Sequence, residues 1–475
     1  MAQHSKPTPV LLPALFSVLA THRSAFQQER PYRRLVVLVV GLVCAFSRHT
    51  LTQVLVALGL GEQDWSAAYR LFSVPRVDAD GLWRGVLAQT LAHVAADQPY
   101  LVALDGVQVP RRSMRMPGTS WLHDPQSPPF RRGIHRAQRY SHLAWLTPPT
   151  AAGYARALPL RWVPAFPEKA VRPAGMVAAK EWEAGLGSLT WLRAELDAAG
   201  RLDQRVLAVA DGLYSNQGVW RDLPQHTSLL ARCAQNRALY GLPDPATGRG
   251  RPRKYGERAP TPQAWLGERE GWTTTRLWVR GRPVPATYRV AGPYLVRGAP
   301  EQPLYLLVVR GLDRVRRGHR RQRKPAFWLV SAARQADGTW ALPWPAEPLL
   351  GWAWQRWEIE VTHRELKCGF GIGESQCWNP TATVLSVQWR VWVWSLLVLS
   401  AYRVWGMDRG PVRPLGGWWR GGGRWSFGQL WQALRAELWQ LHDFPQEVRR
   451  ITANPPENGA WAPAWQAAVL GARRG

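Results

Sequence analysis

Three acids stand out by what precedes or surrounds them. Asp105 closes the apolar run Tyr100 to Leu104, Asp211 closes the run Arg205 to Ala210, and each is followed by a glycine. Strand ends are where an α/β sheet places its functional groups. The third acid, Glu360, belongs to a helical pattern. Wound at 3.6 residues per turn, Arg356, Glu360, His363, Arg364 and Lys367 recur at i, i+4, i+7, i+8 and i+11 and share one polar face. Gathered together, three carboxylates suit Mg2+, which takes a few carboxylate oxygens and keeps its other positions for water and phosphate. Two such ions about 4 Å apart would activate an attacking oxygen and stabilise a leaving one in an in-line displacement at phosphorus. Cysteine or histidine ligands would make the site too soft for that ion. Arg356 and Lys367 would favour ionised Glu360 and could hold a DNA phosphate, with His363 and Arg364 beside them. Glu358 and Glu365 are rival third acids, but their phases turn them away from the Arg356/Lys367 stripe. Plainer readings exist for each part alone: a charged helix face is commonly a solvated one, and Asp-Gly is a turn signal.

The elements that must position these acids change character along the chain. Residues 10–26, 33–47, 50–59 and 81–96 carry apolar residues at helical spacing, separated by Gly59-Leu60-Gly61 and Pro75. The segment after Ser47-Arg48-His49-Thr50 fits a helix-turn-helix with Trp65, Tyr69 and Arg70 on its second helix, and fits a plain helical bundle equally. From Pro99 the texture turns to strands, at 100–104, 138–148, 157–166, 205–210 and 227–235, with an amphipathic helix over 181–199. Residues 240–345 read as a β-rich insertion punctuated by two basic runs. Arg249-Gly250-Arg251-Pro252 resembles a minor-groove hook, although an Arg-rich solvated loop is the favoured reading of it, and Arg316, Arg317 and Arg320 lie in a second run placed on or near DNA. A Trp-rich apolar helix over 383–405 and a Gly/Arg/Trp linker over 408–425 follow. The divisions expected are a helical DNA-binding domain (1–97), a core in two parts (98–239 and 346–407) carrying the acids, the insertion (240–345) and a tail (408–475).

Composition bounds the partner. Sixty-one Lys plus Arg against thirty-three Asp plus Glu give a net charge of +28, which points to a polyanion. Only six of the basic residues are lysines, and guanidinium forks clasp phosphate in pairs of hydrogen bonds. The four cysteines, Cys44, Cys233, Cys368 and Cys377, show neither zinc spacing nor a disulfide framework. The apolar run Leu35 to Phe46 is too short for a bilayer, so no membrane partner and a cytoplasmic, nucleoid-associated location are expected.

Taken together, these residues resemble the DDE transposases of bacterial insertion sequences, cut-and-paste enzymes whose signature is Tyr, two residues, Arg, three residues, Glu, six residues, Lys. Arg356, Glu360 and Lys367 fit its Arg-(3)-Glu-(6)-Lys part, Ala353 stands at the Tyr position between Trp352 and Trp354, and Asp105-Gly106-Val107 keeps the first Asp of the usual Asp-Asp-Thr. The resemblance implies an α/β fold: an RNase H-like core with a mixed sheet, interrupted by the β-rich insertion and preceded by helices. It implies Asp105, Asp211 and Glu360 as catalytic metal ligands for Mg2+, with Mn2+ able to substitute, and Arg356 and Lys367 as contacts to transposon-end phosphates. It further implies a homodimer on paired DNA ends. A decayed or repurposed transposase that only binds DNA, and a nuclease without strand transfer, are the alternatives.

Overall fold

A computed structural model describes residues 10–440 except 47, 126, 129, 151–153, 245–251, 281, 312, 317–318, 323 and 409–424. Five helices come first: α1 (Leu11–Ala20), α2 (Glu29–Cys44), α3 (Leu51–Ala57), α4 (Ser66–Ser73) and α5 (Ala79–Leu91). Residues Leu35 to Cys44 of α2 are all buried, which is why this run shows no polar face. Thr50 caps α3 by accepting from the Gln53 amide at 3.3 Å.

Four strands follow, then helices and strands in turn: β1 (Tyr100–Pro110), β2 (Thr119–His123), β3 (Ile134–Leu146), β4 (Ala157–Pro164), α6 (Glu181–Ala198), β5 (Val206–Ala210), α7 (Gln217–Arg221) and β6 (Thr227–Arg232). The segment expected as an insertion supplies β7 (Thr273–Val279), β8 (Arg282–Val296), β9 (Ala299–Val309), β10 (Asp313–Arg316), β11 (His319–Gln322), β12 (Ala326–Ser331), β13 (Ala333–Arg334) and β14 (Trp340–Ala341). The last helices among the described residues are α8 (Ala346–Gln355), α9 (Trp357–Arg364), α10 (Pro380–Trp405) and α11 (Phe427–Gln440).

Ten strands form one mixed sheet in the order β2-β3-β1-β5-β6-β12-β9-β8-β7, with β4 on β3. β1, β5 and β6 run parallel, and the remaining pairings are antiparallel. The β-rich segment therefore extends the acid-bearing sheet through β12, which pairs with β6; β10 and β11 make a separate hairpin. Side-chain alternation divides the core. Tyr100, Val102 and Leu104 face a cluster that includes Leu189, Leu192 and Leu196 of α6. Leu101 and Ala103 face the other way, toward Leu349 and Leu350 of α8 and Ile359 of α9. A strand covered on both faces is apolar throughout, as the run before Asp105 is.

Helix α10, 26 residues long, is apolar enough to cross a bilayer, yet 94% of its most apolar window is buried inside the protein. It packs on α1, α4, α5 and β4, so the N-terminal helices share one apolar core with it. Its tryptophans Trp389, Trp392 and Trp394 are fully buried, as core packing requires.

Candidate active site

Sheet register brings the first two acids together. β1 pairs with β5 in parallel up to Leu104 opposite Ala210, and the next residue on each chain is Asp105 and Asp211. Asp211 leaves the sheet and caps a tight turn, its Oδ1 accepting from the Leu213 amide at 2.9 Å. Asp105, expected at a strand end, is not at one: β1 continues beside β3, with Asp105 opposite His142, as far as Pro110. The acid marks the point where β5 departs, which exposes one edge of β1 without ending it.

The third acid arrives on a broken helix. The helical pattern expected from Arg356 to Lys367 is not one regular helix: the segment is split at Arg356 into α8 and α9, and α9 runs on into a π-helical turn from Glu365 to Gly369. Such widened turns occur often at functional sites. Ile359, Leu366 and Phe370 are wholly buried and wedge the segment against the core. Arg356 at the joint links the acids: Nη1 donates to Asp105 Oδ2 at 3.2 Å and Nη2 to Glu360 Oε1 at 2.8 Å. The side chains of Arg356, Asp105 and Glu360 are 13%, 14% and 32% exposed, so this is a recessed network open on the Glu360 side. Burial pushes Asp105 up to about 7, against the pull of Arg356 and helped by the charges of Asp211 and Glu360. Lys367 reaches the surface, and its ammonium is lowered by desolvation and supported by Asp105. Arg364 is exposed beside it.

One expectation is placed differently, and two others of this segment are located. His363, grouped with the phosphate contacts, is buried: its Nε2 lies 2.9 Å from Nδ1 of His142, and Trp162 closes on both rings. Burial lowers His142 to about 3 and holds His363 well below the usual range, so both are neutral. Phase puts His363 on the stripe, but β3 and β4 cover that part of it. Glu358 is also buried and is held by Arg280, which donates from Nη2 at 2.8 Å and from Nε at 3.0 Å. Arg280 sits at the β7–β8 turn with φ +50°, so this hairpin is fastened to the helix of the third acid, and Glu358 is turned away from Arg356 as its phase requires. Ala353, at the Tyr position of the signature, packs in the core at 6% exposure.

One acid escaped sequence reasoning. Glu181 begins α6, and its carboxylate lies over Gly106: a Cβ on Gly106 would fall 2.0 Å from the Glu181 carboxyl carbon. Burial pushes Glu181 up to about 7, opposed by Arg139, whose Nε is 3.6 Å away, and raised further by Asp211 and Asp105. The one signal is the glycine after Asp105, for which a turn is only the plainer of two readings. Here Gly106 is in a strand, and the missing side chain makes room for a carboxylate from another element.

The basic residues divide by position. Arg316 and Arg320 lie on the β10–β11 hairpin, opposite His319 and Val315. Arg249, Arg251 and Arg317 lie outside the described residues. Part of the arginine surplus is internal. Arg111 donates to the Gly373 and Ser375 carbonyls at 3.1 and 2.8 Å, and Arg390 donates to the His49 carbonyl at 2.6 Å. Arg390 also donates to the Ser375 hydroxyl at 2.6 Å, so both guanidiniums hold the loop between α9 and α10, a role that sequence composition cannot separate from DNA-facing charge.

The acids' oxygen donors suit a hard divalent ion. Even so, among the described residues no three acidic, histidine or cysteine side chains converge closely enough to hold one. The Arg356 guanidinium is what lies between Asp105 and Glu360.

The fold is a mixed α/β sheet with one acid on β1, a second just past the end of the parallel neighbour β5, and a third on α9, joined to the first through Arg356. The chain belongs to the family described as DDE superfamily endonuclease, whose profile matches residues 23–282, just over half of the 475 residues. That match contains Asp105, Asp211 and Glu181, while Glu360 lies beyond it. Among solved structures, the chain is similar to a piggyBac transposase in a synaptic complex with hairpin DNA, with 9% identity, 94% of this chain and 82% of that chain covered, and a TM-score of 0.32. No curated protein matches.

Proposed function

We propose that the protein is a DNA transposase. It cuts the ends of its element by water attack and joins the freed 3′ hydroxyl to target DNA, using one site for both steps. The observation that carries this reading is the convergence of three distant segments: β1–β5 register sets Asp105 beside Asp211, and Arg356 ties Asp105 to Glu360. Membership of an endonuclease family supports it. The strand order β3-β1-β5-β6, with α6 leading from β4 into the parallel β5, supports an RNase H-like core.

In this reading Asp105, Asp211 and Glu360 are the catalytic acids and Mg2+ is their ion, with Mn2+ as a substitute. When bound, the ion supplies Lewis-acid stabilisation at phosphorus. Lys367 and Arg364 line the approach to Glu360 and hold the phosphate backbone of the transposon end. The hairpin carrying Arg316 and Arg320, together with Arg249, Arg251 and Arg317, adds contacts that do not depend on sequence. The enzyme works as a homodimer on paired ends in the cytoplasm, at the nucleoid.

A DNA-binding protein without catalysis is the second reading, favoured by the spread of the carboxylates around Arg356. Both are tested by incubating the protein with Mg2+ and the DNA that flanks its gene. Cleaved ends and joined products are expected, and neither is expected from Asp211→Asn or Glu360→Gln. Full activity in either variant overturns the catalytic assignment. Cleavage without joining would make the protein a nuclease, and no cleavage by the wild type would favour the DNA-binding reading.

A further inference from the structure

We infer that Arg356 is the resident cation of the resting site, holding Asp105 and Glu360 until a DNA phosphate draws the guanidinium away and a divalent ion takes its place. The inference rests on the proposed function only in taking these acids as the ion's ligands. Its basis is geometric. One guanidinium spends one nitrogen on each acid, at 3.2 and 2.8 Å, from a side chain 13% exposed. Among the described residues no three acidic, histidine or cysteine side chains converge, and the Arg356 guanidinium occupies the space between Asp105 and Glu360. Arg356 also sits at the joint between α8 and α9, so its side chain leaves from the point where the two helices meet.

Carboxylate and phosphate offer a guanidinium the same paired acceptors, so a phosphate entering beside Lys367 gives Arg356 an equivalent partner. The acids it leaves, with Asp211 beside them, are then short of positive charge, which is the condition for admitting a divalent ion. By linkage, DNA that captures Arg356 must tighten metal binding, and metal must tighten DNA binding by the same factor. The site would thus charge with metal mainly on DNA and would leave other phosphodiesters uncut.

The test uses Mn2+ alone, titrated into the full-length protein without DNA and followed by its paramagnetic signal. Arg356→Gln should bind Mn2+ about ten-fold more tightly than the wild type, equivalent to about 1.4 kcal/mol. Adding Asp105→Asn should abolish the gain, which places it at this site. Arg356→Lys, whose single ammonium cannot span both acids, should show a smaller gain and covers the case in which the glutamine variant does not fold. Thermal melting should report the same ranking, with Mn2+ stabilising Arg356→Gln most.

Equal Mn2+ affinity in wild type and Arg356→Gln overturns the inference. Tight binding by the wild type that Asp105→Asn abolishes also overturns it, while leaving the proposed function standing. If no variant binds Mn2+, with or without a mixed-sequence duplex, the inference and the metal-dependent reading both fail.

Discussion

Asp105 and Gly106 are neighbours on β1, yet they face two different carboxylate–arginine arrangements. On the α9 side, one arginine bridges two acids, Asp105 and Glu360, at hydrogen-bond distance. On the α6 side, one acid, Glu181, lies 3.6 Å from Arg139 in space left by the missing side chain of residue 106. Asp105 and Glu181 are nonetheless both pushed to about 7, with burial the first cause in each case. At this depth desolvation outweighs a nearby guanidinium, so an arginine in contact does not guarantee an ionised acid. What separates the two sides is position. The α9 acid network faces the stripe carrying Lys367, whereas Glu181 belongs to the helix that packs the opposite layer.

If that separation holds, losses on the two sides should differ in size. Asp211→Asn and Glu360→Gln should reduce cleavage on the order of 10³-fold or more. Glu181→Gln should reduce it by about ten-fold or less, since Glu181 shapes the site without completing the triad. Equal losses in the same DNA-cleavage assay would merge the two sides into one four-acid site.

Gly106→Ala sharpens the comparison from the structural side. The new Cβ meets the Glu181 carboxyl, and moving that half-confined group should cost about 1–3 kcal/mol in thermal or denaturant unfolding. Pairing it with Glu181→Ala should recover most of the loss, because the two changes share one contact. An additive double variant would mean that Glu181 does not hold that space.

The raised acids set a pH dependence. Both bind protons more readily folded than unfolded, so their stabilising effect is complete below their unfolded values near 4 and is lost as pH rises through about 7. Stability should therefore decline between about pH 4 and 7 at these two positions. Asp105→Asn and Glu181→Gln should each flatten the decline and melt a few degrees higher than wild type at pH 8. A wild-type-like slope in both variants would remove the electrostatic account. The smallest effect expected is that of Arg280→Ala. Arg280 is 43% exposed, so removing it from Glu358 should cost about 1 kcal/mol once solvent screening is allowed for, with cleavage falling only as far as α9 loosens.

The α9 arrangement was largely legible in the sequence because it is local. Arg356 and Glu360 are one turn apart, and the apolar runs before Asp105 and Asp211 are strands on which register does the rest. Glu358 could be set aside by phase alone, and its burial against Arg280 agrees. What was not legible depends on long-range packing. His363 has the phase of the stripe, but β3 supplies His142 to cover it, and nothing near residue 363 announces that. The split at Arg356 and the π turn reset the phase of Lys367. Glu181 is 75 residues from Gly106, and only a glycine linked them. Helical periodicity also could not show that the β-rich segment joins the main sheet through β12.

The central claim is that Asp105, Asp211 and Glu360 act together as one metal-dependent site on DNA. It is tested most directly by nicking of supercoiled plasmid, with and without Mg2+ or Mn2+, by the wild type and by the three single amide variants. Metal-dependent nicking by the wild type and its loss in all three variants is the result this account predicts. Nicking that survives any one of the three substitutions, or that proceeds unchanged in a chelator, would contradict it.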